Sequence, residues 1–299
     1  METNKFYYDT EFLEGTQKTL FGQSKPTIDL ISIGIVSEDK HHSIEYGTTD
    51  GKDRIPIGQN TTSREYYAIS KEFNLKEAWN RYDLLEANTK NNHSLNNVRV
   101  YWIRDNVLKP IWNEYINKVA IVTEDLLFSY RTMKMVINKY GKTNKQIAEE
   151  VKEFCKSGNK NIYNLPKGQG VRIVNDKGEE GYMDTIHCSN PIFYGYYSAY
   201  DHVVFAWLFG KMIDLPNGFP MYTIDLKQML DEIAEKTVKK TNETVHTTFP
   251  LKAWNKLNKE QWLDEISAYV DYPKEPTTHH ALNDAKWTKE LHKFIKSLN

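Results

Sequence analysis

Cysteine is scarce in this chain: two residues in 299, Cys155 and Cys188, with no CxxC spacing. Neither a disulfide framework nor a zinc knuckle can be built from such a pair, so a reducing compartment is expected. An excess of charge of one sign is missing too, because 39 Lys+Arg face 40 Asp+Glu for a net charge of −1. That balance excludes a strongly basic chain that coats nucleic acid nonspecifically. It leaves room for an enzyme that grips a few phosphates through metals and local lysines. No apolar run approaches the ~18 residues of a membrane span, and the opening Met-Glu-Thr-Asn-Lys has no basic stretch leading into an apolar core. A soluble, cytoplasmic protein with no membrane partner is expected. No internal repeat and no sharp change of composition marks a domain boundary, so a single domain over 1–299 is expected.

What is present begins with aromatics, 13% of residues, and with two carboxylates among them. In Lys5-Phe-Tyr-Tyr-Asp-Thr-Glu-Phe-Leu13 the flanking residues are strand formers, and alternate side chains of a strand share a face. Asp9 and Glu11 then emerge side by side. Two carboxylates on one face of a buried strand are costly unless a cation neutralises them. A divalent-metal site follows.

The pattern predicts strands over Phe6–Phe12, Asp29–Val36 and Glu65–Ser70, the last as hairpin partner of the second. A helix is predicted from about Val100 to Tyr115, with Pro110 kinking or ending its first part. Thr143 and Gln146 form a capping box ahead of Ile147, Val151 and Phe154 at helical spacing. Pro191–Tyr200 reads as a strand running directly into Asp201, and His202–Phe209 as a helix. Met221–Asp225 and Leu226–Glu235 repeat that order. A final helix is expected at about Ala281–Leu298, and an amphipathic one at about Lys259–Val270. Three strands followed by alternating helices and strands imply an α/β fold with a mixed central sheet and helices on both faces. Stretches near 40–62, 81–98, 159–185 and 236–275 read as insertions, loop-like or polar.

Two further elements carry acids. Asp201 lies in Ala199-Tyr-Asp-His-Val203, at a strand end or helix start, where capping and metal ligation can coexist. His279-His-Ala-Leu-Asn-Asp284 follows Pro276-Thr-Thr278. On one straight helix His279 and Asp284 would point about 140° apart. Pro276 and the threonines suggest instead that His279 sits on the preceding loop and Asp284 in the first turns, so that both reach one site.

The ordered set D-x-E, mid-chain Asp, then H-x-A-x-x-D resembles the DEDDh branch of the DnaQ-like 3′–5′ exonucleases, which have a ribonuclease-H-like fold. Phe6-Tyr-Tyr-Asp-Thr-Glu-Phe12, Ile31-Ser-Ile-Gly-Ile-Val-Ser-Glu38, Tyr66-Tyr-Ala-Ile-Ser70 and Glu72-Phe-Asn74 add a likeness to a small exoribonuclease subfamily described from mycobacteria. The likeness covers the core and not the insertions. It implies a ribonuclease-H-like sheet and two divalent ions, Mg²⁺ or Mn²⁺, held by Asp9, Glu11, Asp201 and Asp284, with Asp9 bridging. Ions about 3.5–4 Å apart can clamp the attacking and leaving oxygens of an in-line phosphoryl displacement. His279 would deprotonate the water, and nucleoside 5′-monophosphates would leave the 3′ end of a single-stranded nucleic acid. RNA is favoured by the subfamily likeness alone; an exodeoxyribonuclease and a noncatalytic nucleic-acid-binding module are the alternatives. By analogy with related exonucleases the expected assembly is a homodimer.

Bland roles compete at several positions. His280 neighbours His279 and rivals it as base. Phe12 either stacks on a terminal base or fills the core. His202 is read as packing or orienting a neighbour. Trp102, Trp112 and Trp207 sit at spacings typical of core residues.

Overall fold

The aromatic opening segment forms a long strand, β1 (Asn4–Lys18), with Phe6 and Tyr8 buried on one face and Tyr7 on the other. β2 (Ser24–Ser37) pairs antiparallel with β1, and β3 (Glu65–Ile69) antiparallel with β2. β4 (Pro191–Gly195) joins the other side of β1 in parallel, and β5 (Ile224–Asp225) runs parallel to β4. The result is a mixed five-stranded sheet in the order β5-β4-β1-β2-β3, with the carboxylate-bearing strand at its centre. In this computed structural model the described residues are 4–18, 24–38, 40–41, 46–49, 53–56, 61–86, 97–119, 127–156, 171–174, 180–183, 190–248, 258–268 and 271–298.

The α-helices, in chain order, are α1 (Leu75–Asn80), α2 (Lys109–Val119), α3 (Tyr130–Tyr140), α4 (Asn144–Lys156), α5 (Ala199–Leu208), α6 (Leu226–Thr248), α7 (Lys259–Ser267) and α8 (Ala281–Ser297). They cover both faces of the sheet. Ile147 and Val151 of α4 and Val204 and Phe205 of α5 pack on Phe6, Tyr8, Ile33 and Ile35. On the opposite face Leu226, Leu230, Trp262, Leu291 and Ile295 of α6–α8 pack on Tyr7 and Tyr194. A third cluster joins Leu13, Ile31 and Ile69 to Val107, Ile111, Met133 and Val136. The expected capping box holds α4: Thr143 N–H donates to Gln146 Oε1 at 2.9 Å, and Gln146 N–H to Thr143 Oγ1 at 3.2 Å.

Several expectations are corrected. The stretches read as loop-like insertions contain two-stranded ladders: Lys40–His41 with Thr61–Thr62, Tyr46–Thr49 with Asp53–Pro56, Asp83–Glu86 with Asn97–Val100, and Val171–Val174 with Glu180–Met183. Strand formers flanking turn-rich sequence are enough to make such ribbons. The last insertion begins later than read, because α6 continues to Thr248 on Lys/Glu-rich sequence of good helix propensity. Of the two effects expected of Pro110, ending the helix is not seen. The helix runs 102–119 and widens into a π-turn at Arg104–Leu108, where Lys109 N–H donates to Arg104 C=O. The ring of Pro110 would collide with the carbonyl four residues earlier in a regular α-helix, and the wider turn just before it relieves that crowding. Trp102 and Trp207 are not core residues, being 43% and 53% exposed, whereas Trp112 packs against the third cluster.

One buried polar contact under α8 makes stability pH-dependent. His292 is 2% exposed, packs tilted against the Tyr194 ring and pairs through Nδ1 with the Tyr7 hydroxyl at 2.9 Å. Burial first, then the nearby charges of Lys296 and Lys5, lowers its pKa to about 4. An unfolded imidazole titrates near 6.5. The unfolded chain therefore binds the proton first, and this residue's contribution is intact above about 6.5 and lost as pH falls toward 4. Urea denaturation of wild type and His292→Gln at pH 7 and pH 5 measures it. Going from pH 7 to pH 5, the wild type should fall in stability relative to the variant, whatever the common trend of both; an unchanged difference would refute the assignment.

Candidate metal centre

Alternation along β1 points Asp9 and Glu11 to the face that α8 covers, as their spacing requires. Opposite Asp9 in the sheet stands Gly34 of β2, and opposite Glu11 stands Ser32. Phe12 then pairs with Leu30, so Ile31 is the extra residue of a β-bulge just beyond Glu11. Such a bulge bends a strand and re-aims the side chains beside it. Gly34 is required by close approach: a Cβ there would lie 2.3 Å from Leu282 N and 2.4 Å from the carbonyl carbon and oxygen of Ala281. The missing side chain lets the N-terminus of α8 rest on β2 beside Asp9.

The first turn of α8 delivers Asp284, and the loop before it delivers His279, as the sequence implied. His280 N–H donates to Asp284 Oδ2 at 2.9 Å, which holds that carboxylate against its own helix start. Asp201 comes from the other side. β4 ends at Gly195, earlier than expected, and Asp201 lies in the first turn of α5 rather than at a strand end. The connecting turn puts Tyr197 in the left-handed region at φ 53°. Its N–H and that of Ser198 donate to the Asp225 carboxylate at 3.3 and 3.0 Å, and this closes the turn. Asp201 Oδ1 accepts from Thr10 N–H at 2.9 Å and from Thr10 Oγ1–H at 2.6 Å. The residue between the two β1 carboxylates thus fixes the third.

The acids strain against one another. Burial raises the pKa of Asp9 well above the carboxylate range, and the charges of Asp201, Glu11 and Asp284 raise it further. Glu11 is pushed to about 8 by burial and then by Asp284 and Asp201. Burial lifts Asp201 to about 6 against the lowering effect of its Thr10 hydrogen bonds. Asp284 also rises to about 6, through burial and then Glu275 and Asp201, opposed by the His280 N–H. The ligand atoms of Glu11, His279 and Asp284 lie within 4.8 Å of one another, the spacing of a shared ion. The charge of Asp201 acts on Glu11 and Asp284, and all three act on Asp9. Buried like charges with oxygen donors and one imidazole could hold a metal ion.

The two histidines part company. His279 is exposed and its ring packs on Trp102, with centroids 4.8 Å apart. The His280 ring turns away, stacks on Tyr67 at 4.4 Å and meets Glu114 Oε2 through Nε2 at 3.0 Å. The His280 ring is thereby held by Tyr67 and Glu114. Phe12 is half-buried and stacks on Tyr200, which is 52% exposed. His202 orients Thr223 through Nδ1 at 3.1 Å. Thr10, Asp225, Glu114 and Tyr200 were not marked as site residues by sequence reasoning, and Trp102 was read as core. Only Thr10, between Asp9 and Glu11, and Tyr200, beside Asp201, carried a positional signal. Compared with protein-family models and with curated proteins, the chain matches none.

Proposed function

We propose that this protein is a two-metal-ion 3′–5′ exoribonuclease on a ribonuclease-H-like fold. The observation that carries the reading is the group of Glu11 from β1, Asp284 from α8 and His279 within 4.8 Å, with Asp9 and Asp201 tied to its carboxylates through charge. The sheet order, with three consecutive antiparallel strands and two further strands parallel to the first, supports the fold assignment.

When bound, two divalent cations would neutralise the carboxylates and stabilise charge developing on the attacking and leaving oxygens. Asp9, Glu11, Asp201 and Asp284 would hold them. Thr10 keeps Asp201 oriented through two donors to Oδ1, and the His280 N–H does the same for Asp284 Oδ2. His279 takes the proton from the attacking water. An imidazole suits this step because it gains and loses protons near neutral pH. The Phe12–Tyr200 pair offers an aromatic face on which a terminal base can stack.

Incubation with 5′-labelled RNA and DNA of matched sequence, in Mg²⁺, Mn²⁺ or EDTA, tests the reading. A ladder shortened from the 3′ end of RNA, absent in EDTA and in His279→Ala, supports it. A ladder on DNA alone moves the assignment to an exodeoxyribonuclease. Hydrolysis of neither polymer in any metal refutes an enzyme.

A further inference from the structure

The neighbouring histidines at the start of α8 are gripped by one helix. Trp102 packs on His279 and Glu114 bonds His280, and both belong to the helical segment 102–119. On a regular α-helix, side chains twelve residues apart would point about 120° from each other. The π-turn at Arg104–Leu108 lies between them and takes up one extra residue. That leaves Trp102 and Glu114 about 20° apart, on one face. The π-turn thus brings two side chains to bear on two consecutive residues of a facing loop.

We infer that segment 102–119 is a positioning element for the catalytic loop, with Trp102 setting the imidazole of His279 and Glu114 anchoring His280. The role rests on the exonuclease reading. His280 is the pivot. It is 7% exposed and its ring is pinned between Tyr67 and Glu114. Its N–H holds Asp284, and its carbonyl accepts from the N–H groups of Asn283 at 2.8 Å and Asp284 at 3.0 Å. Anchoring this one residue orients a carboxylate on one side and His279 on the other. Trp102 explains itself in the same way. Its indole is 43% exposed and packs on the His279 ring with centroids 4.8 Å apart.

The test uses Trp102→Ala, Trp102→Phe, Glu114→Ala and Glu114→Gln in the full chain. Trp102 and Glu114 are both exposed, and melting curves identify the variants that fold. In single-stranded RNA hydrolysis, Trp102→Ala and Glu114→Ala should lower kcat about 10- to 100-fold, the range for partners that orient site residues. KM should stay within about threefold. Trp102→Phe, which keeps a ring, should recover most of the rate, and Glu114→Gln, which keeps a hydrogen-bonding side chain, part of it. Without substrate, the His279 ring protons should show the ring-current shift of a neighbouring indole in NMR spectra. Trp102→Ala should abolish that shift. Glu114→Ala should also move it, although Glu114 reaches His279 only through His280.

Folded alanine variants with unchanged kcat, or with loss in KM alone, overturn the inference. So does a His279 signal indifferent to both substitutions. A wild type that hydrolyses neither polymer while its His279 signal responds as described defeats the exonuclease reading and leaves the coupling between helix and loop in place.

Discussion

Asp9→Asn should leave the protein inactive and, without metal, more stable than wild type. The pKa of Asp9 is raised by burial and then by the charges of Asp201, Glu11 and Asp284. Folding forces these carboxylates together, so the native state binds protons that the unfolded chain has released. With Glu11 at about 8 and Asp201 and Asp284 at about 6, the metal-free protein loses stability as pH rises from about 4 to about 8. Replacing one member of this mutually repelling set with a neutral amide should therefore return stability at pH 8. The melting temperature of Asp9→Asn should then exceed that of wild type in EDTA at pH 8, and the difference should shrink at pH 5.

Metal reverses the ranking. A ligand at 100 times its Kd stabilises a protein by about 2.7 kcal/mol, and ligand carboxylates must shed protons to bind it. Mn²⁺ should therefore raise the wild-type melting temperature more at pH 8 than at pH 5, and barely move that of Asp9→Asn. Hydrolysis by the variant should fall at least about 100-fold, the upper range reached by mere supporting partners of metal ligands. An Asp9→Asn protein less stable than wild type in EDTA at pH 8 would mean that the acids do not repel as their burial implies.

Gly34→Ala should damage fold and site together. The new methyl would lie 2.3–2.4 Å from backbone atoms of Ala281 and Leu282, and backbone cannot swing aside as a long side chain can. Overpacking of this kind costs about 1–3 kcal/mol. The strain is relieved by lifting the start of α8 off β2, which carries Asp284 and His279 away from Asp9 and Glu11. Activity should fall by at least about tenfold in the fraction that remains folded, since displacements near 1 Å already cost that much. Gly15→Ala is the control in the same sheet, because its nearest neighbour would be the Thr27 hydroxyl oxygen at 3.0 Å. Its melting temperature and rate should stay close to wild type. Equal behaviour of the two variants would remove the close approach of α8 as an explanation for Gly34.

Much of the site was legible before any coordinates. Two carboxylates at strand spacing among aromatics must share a face, and His279 ahead of a helix that carries Asp284 must approach the same region. The Thr143–Gln146 capping box was equally readable, because both partners lie within one turn. What escaped was set at a distance. Burial of Trp102 and Trp207 was expected from helical spacing, which says which residues share a face but not whether anything covers it. The length of α6 escaped because charged residues sustain a helix without showing an apolar period. The choice between His279 and His280 depends on Glu114, 166 residues away from His280 in the chain.

By itself the sequence determined the local facts: which residues are charged, which faces alternate, and where helices such as α4 and α8 start. Tertiary structure alone decided that Thr10 holds Asp201 across 191 residues, that Gly34 makes room for α8, and that a π-turn aims Trp102 and Glu114 at consecutive histidines. Local preference acts through backbone torsions and neighbours within a few residues. Which distant side chains meet is settled only when the sheet and its two helical layers pack.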